Sequence, residues 1–541
     1  MPALRLWSIR RSIALVIATA VLVVGALIAG ALWYAGWPSL HRASTVTAAT
    51  LFDLLKLVFS VVAGIGGVAA LVVAYRRQRV AEHANKLAEF AHGLAHAADL
   101  RAEAAEGRAK IETDRNGIRL FNERFAKASE QLGSDKAAVR LAGVYAMAGL
   151  ADDWRDGRQT CIDVLCAYLR MPYTPPQEAS NKALPAQAND DASAATSEAA
   201  RAAREEREVR HTVIRLIGRH LRLAEEDANS WRGFDYDFTG AVFDGGDLSG
   251  VTFSTERVSF DGVTFGGGRV SFDGVTFGGG RVSFDGATFS GGEVSFDGVT
   301  FGGGRVSFDG ATFSGGRVSF DGVTFGGGEV SFDGATFSGG EVSFDRATFS
   351  GGEMSFDRAT FSGGEVSFDE VKFSGGGSVY FGMATFGGGE VSFDGATFSG
   401  GGMYFGMAMF SGGRVSFDGA TFGGGEVSFD RAMFSGGRVS FDGAKFSGGS
   451  VYFGMATFGG GQVSFGMAKF SGGAVYFGMA TFSGGAVYFG MATFGGGRVS
   501  FDRAKFSGGE VYFDGADLDY PPEFDRWPDG HPPEGLHLPH G

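Results

Sequence analysis

Hydrophobic and polar positions change their spacing three times along the chain. Residues 13–35 run uncharged for about 23 positions, enough at 1.5 Å per residue to cross a bilayer core of roughly 30 Å. A second apolar run, about 57–75, follows Asp53 and Lys56 and ends on Arg76, Arg77 and Arg79. Trp33, Tyr34 and Trp37 stand where an aromatic belt would hold the first span. Arg5, Arg10 and Arg11 precede that span, and the connecting loop carries only His41 and Arg42. The positive-inside rule therefore predicts a helical hairpin over 1–79 in the cell membrane, with both ends cytoplasmic. Read as a signal peptide, the first run exceeds an h-region of about 7–15 residues, and the arginines after Tyr75 would still hold the rest in the cytoplasm. Gly64, Gly66 and Gly67 in the second span would let two helices approach closely.

From Val80 the spacing becomes that of amphipathic helices. Residues 80–112 are rich in Ala, Glu, Lys and Arg without Pro, and predict a helix continuous with the second span. Residues 118–132, 137–151 and 160–169 carry apolar faces and predict a small three-helix unit, so that 80–171 reads as an α-helical domain. Ser134-Asp135 is the N-cap signal of its second helix. Residues 172–200, rich in Pro, Ala, Ser and Asn in their first part, read as a disordered linker. Residues 201–231 read as a helix whose apolar face, including Val209, Val213, Ile217 and Leu221, caps the start of the C-terminal half.

The third pattern is a repeat. Phe238, Phe243, Leu248 and Phe253 recur every five residues, with Ala241 and Val251 two places before two of them. From Arg257 the period becomes twelve, as in RVSFDGVTFGGG (257–268). Ten such units precede one extra residue near Gly377, and twelve follow. Strand alternation puts Val and Phe of V-S-F-D-G on one side and Ser and Asp on the other, and A/V-T-F repeats the arrangement. Gly then turns the chain, because only Gly takes positive φ cheaply. No single unit buries its two Phe, whereas stacked units do, so Phe243, Phe253, Phe260, Phe265, Phe272 and Phe284 form the predicted core of a β-solenoid.

These residues resemble the pentapeptide-repeat family, whose pattern is a central Leu or Phe with a small residue two places earlier. Phe243 with Ala241 and Phe253 with Val251 match directly, and the resemblance covers about 234–520 of a repeat domain read as 232–520. It implies an all-β, right-handed, four-sided β-solenoid following the transmembrane hairpin and the α-helical region. Ser, Thr or Tyr stands before the central residue where the family favours Asp or Asn, and two extra residues turn five plus five into twelve. One coil then holds either 12 or 24 residues. Two Phe facing each other in a narrow coil would crowd the core, which favours 24.

Composition narrows the function. Net charge is −14, which argues against direct nucleic-acid binding through a basic surface. Cys161 and Cys166, five apart, cannot frame a secreted disulfide protein and read as buried small hydrophobes. His92 and His96 share a helix face but lack a third ligand. Asp follows the first Phe in sixteen of the twenty-two units, while the variable position carries eight Arg against eight Glu. The twelve-residue period does not fit a nine-residue calcium roll, and the A-T-F threonines, interrupted by Lys and Met, do not make an ice-binding array. No nucleophile or base accompanies the Asp column, so no catalytic, cofactor or metal site is expected.

In the later units Tyr380, Tyr404, Tyr452, Tyr476 and Tyr488 replace Ser, while Met383, Met407, Met455, Met479 and Met491 replace Gly. An uncharged Tyr/Met ladder is a candidate contact surface; drift in a duplicated array would give the same pattern. The expected molecule is a non-enzymatic, membrane-anchored interaction scaffold for an unidentified protein, with homo-oligomers allowed. Two alternatives stand beside it. The resemblance implies that an acidic solenoid could imitate DNA towards a DNA topoisomerase, and solenoids could also self-assemble end to end into a structural rod. Residues 521–541 read as a Pro/His-rich tail.

Overall fold

The computed structural model of the chain describes residues 9–37, 46–176, 190–517, 522–525, 527 and 530–538. The chain divides into two compact units, Met1–Ile118 and Arg119–Gly541.

The first unit is helical. Helix α1 covers Ile9–Tyr34, and α2 runs unbroken over Ala48–Leu132, entering the second unit. Both are long and apolar enough to cross a membrane, and neither apolar window is buried in protein. The loop basic residues His41 and Arg42 lie outside the described residues.

In the second unit, the end of α2 is followed by α3 (Ala137–Asp153), α4 (Arg158–Arg170) and α5 (Asp190–Leu221). Lys136, not Ser134-Asp135, holds the cap position of α3, although Ser134 Oγ accepts from Lys136 N at 3.3 Å. The assignment of 172–200 to a linker needs correction, because α5 already begins at Asp190. The stretch DDASAATSEAA carries no Pro and is Ala-rich, so its intrinsic propensity is helical. Helix α5 also ends at Leu221, ten residues before the predicted boundary at 231. Residues 177–189 of that segment lie outside the described residues.

From Tyr236 the chain winds as parallel strands. Val306 pairs with Val330 and Thr312 with Thr336, a spacing of 24 residues, so one coil takes two twelve-residue units. Each coil has four faces. In the coil starting at Arg257 these are Arg257–Ser259, Thr264–Phe265, the stretch Arg269–Ser271, and Thr276–Phe277. Twelve strands stack on the first face and eleven on the fourth. Eleven coil steps of about 4.8 Å give a shaft of about 53 Å. The extra residue at 375–377 is absorbed at a corner, since Met354 pairs with Val379 and the register continues.

Two kinds of corner make this winding possible. At Phe284–Ala287 the Ala287 N–H donates to Phe284 O at 3.0 Å, with Gly286 at φ +66°. At the other kind the coils approach too closely for a side chain, and a Cβ on Gly304 would run into Gly280 O of the preceding coil. The interior is aromatic. Phe260 stacks on Phe284 at 4.7 Å and meets Phe272 edge-on at 5.6 Å, so parallel columns interlock at right angles. Phe243, Phe253, Phe260, Phe265, Phe272 and Phe284 are all buried, each contributing roughly 1.5–3 kcal/mol.

Both ends of the shaft are covered. At the first, α5 buries Val213, Ile214 and Ile217, and Trp231 stacks on His220 at 4.0 Å while donating to Asp152 Oδ1 at 2.9 Å. At the second, the segment read as a tail continues the winding: Leu536 pairs with Val511, and Glu523 bridges Ser500. The 521–541 boundary is corrected accordingly, because β pairing continues across it.

Candidate interaction surface

The outer surface is built from what each face projects between its inward Val and Phe. Ser and Asp do point outward, but they are not a solvated stripe. Ser307 is fully buried, and its Oγ donates to Asp285 Oδ1 of the preceding coil. The same carboxylate accepts the Asp309 N–H at 3.2 Å, and Asp309 N also reaches Ser307 Oγ at 3.4 Å. This exchange recurs along both Phe-x-Gly corners, for example Ser319 to Asp297 and Ser331 to Asp309. Burial, with Asp345 and Asp394 nearby, raises the Asp369 carboxyl above its usual range. The Arg and Glu column is likewise partnered across coils, with Arg317–Glu341 at 3.2 Å and Arg305–Glu329 at 3.7 Å.

The Tyr/Met substitutions interrupt this polar ladder. Tyr at the Ser position and Gly at the Asp position occur in the same coil, as in Tyr380 with Gly382 and Tyr404 with Gly406. Tyr380 stacks on Tyr404 at 5.3 Å and Tyr452 on Tyr476 at 5.1 Å, half-buried against the first face. Met383, Met407, Met455 and Met479 follow at the adjoining corner, all exposed. Each holds φ between 57° and 59°, the left-handed conformation that the equivalent Gly286 takes without strain.

The structure divides the ten predicted ladder residues. Tyr380, Tyr404, Tyr452 and Tyr476, with Met383, Met407, Met455 and Met479, share one edge, as two pairs of coils separated by the coil of Ser428, Asp430 and Arg431. Tyr488 and Met491 are not on it. Tyr488 lies on the third face, stacked at 5.2 Å on Tyr512, which stacks in turn on His537 at 4.6 Å. Met491 sits at the opposite corner with Met467, separated from the main edge by half a coil. A twelve-residue alignment superimposes the two halves of a 24-residue coil, so residues from opposite corners fall into one column. Two contributors were missed: Met409 and Met433, paired neighbours on the second face, are exposed beside Met407. Writing the sequence in columns of 24 would have found them.

No other chemistry converges. His92 and His96 are exposed on α2, and among the described residues no three His, Cys, Asp or Glu side chains could hold a metal ion. Cys161 and Cys166 are free and buried.

The family model described as pentapeptide repeats (9 copies) matches residues 272–324 and 303–348. The matched coils carry the four-sided winding of the whole shaft. The chain is a pentapeptide-repeat family member. The pentapeptide-repeat solenoid extends on both sides of the matched residues by parallel pairing, from Tyr236 to the last paired strand at Leu536–His537. No curated protein and no solved structure matches the chain.

Proposed function

We propose that this pentapeptide-repeat protein is a non-enzymatic scaffold, tethered to the cell membrane by α1 and the first part of α2, whose cytoplasmic shaft presents the Tyr/Met edge to another protein. The observation that carries the reading is that edge. It replaces a hydrogen-bonded Ser/Asp ladder by stacked Tyr and exposed Met over successive coils, at corners where Met is strained and Gly is not. Strain kept at an exposed position supports a role for the side chain beyond folding. The basic flanks of the two apolar helices support the cytoplasmic side.

Proximity labelling of the tethered protein tests the reading, compared with a variant carrying Tyr→Ser and Met→Gly along this edge. Loss of specific neighbours is the expected result, and an unchanged set would refute it. Protease added outside intact cells is expected to leave the shaft uncut. An acidic DNA-mimic role draws little support, because the Asp column is engaged by Ser hydroxyls and backbone N–H groups.

A further inference from the structure

The edge has an order of its own. Counting coils outward from Arg431, its corner column reads Arg–Met–Met–Arg–Met–Met–Arg from Arg358 to Arg503. The column before it reads Asp–Gly–Gly–Asp–Gly–Gly–Asp from Asp357 to Asp502, and the face column reads Ser–Tyr–Tyr–Ser–Tyr–Tyr–Ser from Ser355 to Ser500. All three read the same in both directions about the coil of Ser428, Asp430 and Arg431. The register places these residues one above another, with Tyr380 on Tyr404, Ser428 on Tyr452 and Tyr476 on Ser500.

A surface with this symmetry is complementary to itself. A two-fold axis perpendicular to the shaft at Arg431 lays each Tyr/Met coil of one copy on a Tyr/Met coil of another, and each Asp–Arg coil on an Asp–Arg coil. Each column then meets its own copy, so at the centre Arg431 lies opposite Arg431 of the other copy, with an Asp one position aside in each copy to offset the like charge. Arg358, Arg431 and Arg503 are exposed.

We propose that the occupant of this edge is a second copy of the same chain, packed side by side and antiparallel about Arg431. The proposal rests on the reading of the edge as a contact surface and names its partner. Seven coils at about 4.8 Å, with an edge about 15 Å wide, offer on the order of 500 Å² per copy. Small specific interfaces bury roughly 600 Å² per partner, so the association is weak and gains from the effective concentration that a shared membrane supplies.

The test uses the full-length protein in its membrane and a short bis-maleimide. Cys161 and Cys166 are buried, so introduced thiols report alone. Arg431→Cys is expected to crosslink to itself. Met383→Cys is expected to crosslink to co-expressed Met479→Cys, but not to a second Met383→Cys chain. A Met383→Cys self-crosslink without the Met383/Met479 product would mean parallel packing and overturn the proposal, as would no crosslink at all. Met383, Met407, Met455 and Met479 changed together to Gly keep the turn that other corners already use. In that background the Arg431→Cys product is expected to fall at least fivefold, and an undiminished product would also overturn the proposal. If edge variants change the labelled neighbours while no crosslink forms, the contact surface stands and the dimer falls.

Discussion

Phe501 and Phe524 stack face to face at 5.0 Å, and Trp527 lies against Phe524 at 5.7 Å. With these contacts, a segment whose composition suggests a loose tail closes the aromatic column that runs through the shaft. An open column would present Phe edges and unpaired strand groups to other molecules.

Phe524→Ala is therefore expected to destabilise the last coil by about 2 kcal/mol, below the full cost of a wholly buried Phe because Phe524 is half-buried. Truncation before Pro521 is expected to go further and produce species that grow with concentration. Size-exclusion chromatography over a concentration series reads this directly. A truncated chain that elutes unchanged would show that the tail does not guard the end.

Met383 and Gly286 occupy the same corner in different coils, at φ +58° and +66°. A side chain in that region costs roughly 1–2 kcal/mol, a cost Gly does not carry. Met383→Gly is expected to raise stability by about 1 kcal/mol, and Gly286→Met to lower it by a similar amount. Denaturant unfolding of the full chain in detergent measures both. If Met383→Gly destabilises instead, Met383 is held by packing that outweighs the strain.

The shaft was legible because one residue type, Phe, marks its period with a single one-residue shift, and because steric crowding alone separates 24 residues per coil from 12. The exposed edge was only half legible. Tyr476 and Tyr488 look equivalent in a twelve-residue column, yet they project from faces half a coil apart. Alternation puts the Ser/Asp positions on the outer side but hides their partners, since the Asp285 carboxylate that accepts from Ser307 lies 22 residues away. At 190–200 the Ser and Asn content of the preceding stretch obscured an Ala-rich helix start.

Acid should separate the cap from the shaft. Burial raises the Asp244 carboxyl, but His211, Tyr173 and Arg207 together outweigh it and hold it below the usual range. Its contribution is therefore present above the unfolded carboxyl value of about 3.9 and lost as pH falls through the lower folded value. Asp357 and Asp369 are raised mainly by burial. Their stabilisation is complete below about pH 3.9 and lost as pH rises through the higher folded values. Hydrogen exchange is expected to show α5 losing protection below about pH 4 while the shaft strands near Asp369 keep theirs. Asp244→Asn is expected to flatten the response of α5. Simultaneous loss in both regions would contradict the opposed signs.

Burial pushes the Cys166 thiol up to about 12 and the Cys161 thiol up to about 11, the latter opposed by Arg124. Thiolate is the reactive form, and each unit of pKa above the ambient pH cuts its share about tenfold. Both thiols lie on α4, whose buried face also carries Ile162, Leu165 and Leu169, so access is blocked as well as ionisation. At pH 8 both are expected to resist maleimide by well over tenfold relative to the denatured chain, and to react together when α4 leaves its site. Mass spectrometry of pulse-labelled protein through a denaturant series tracks this release. Labelling of either cysteine in the native state would place α4 in exchange with an open form, and the cap would then be less secure than its packing implies.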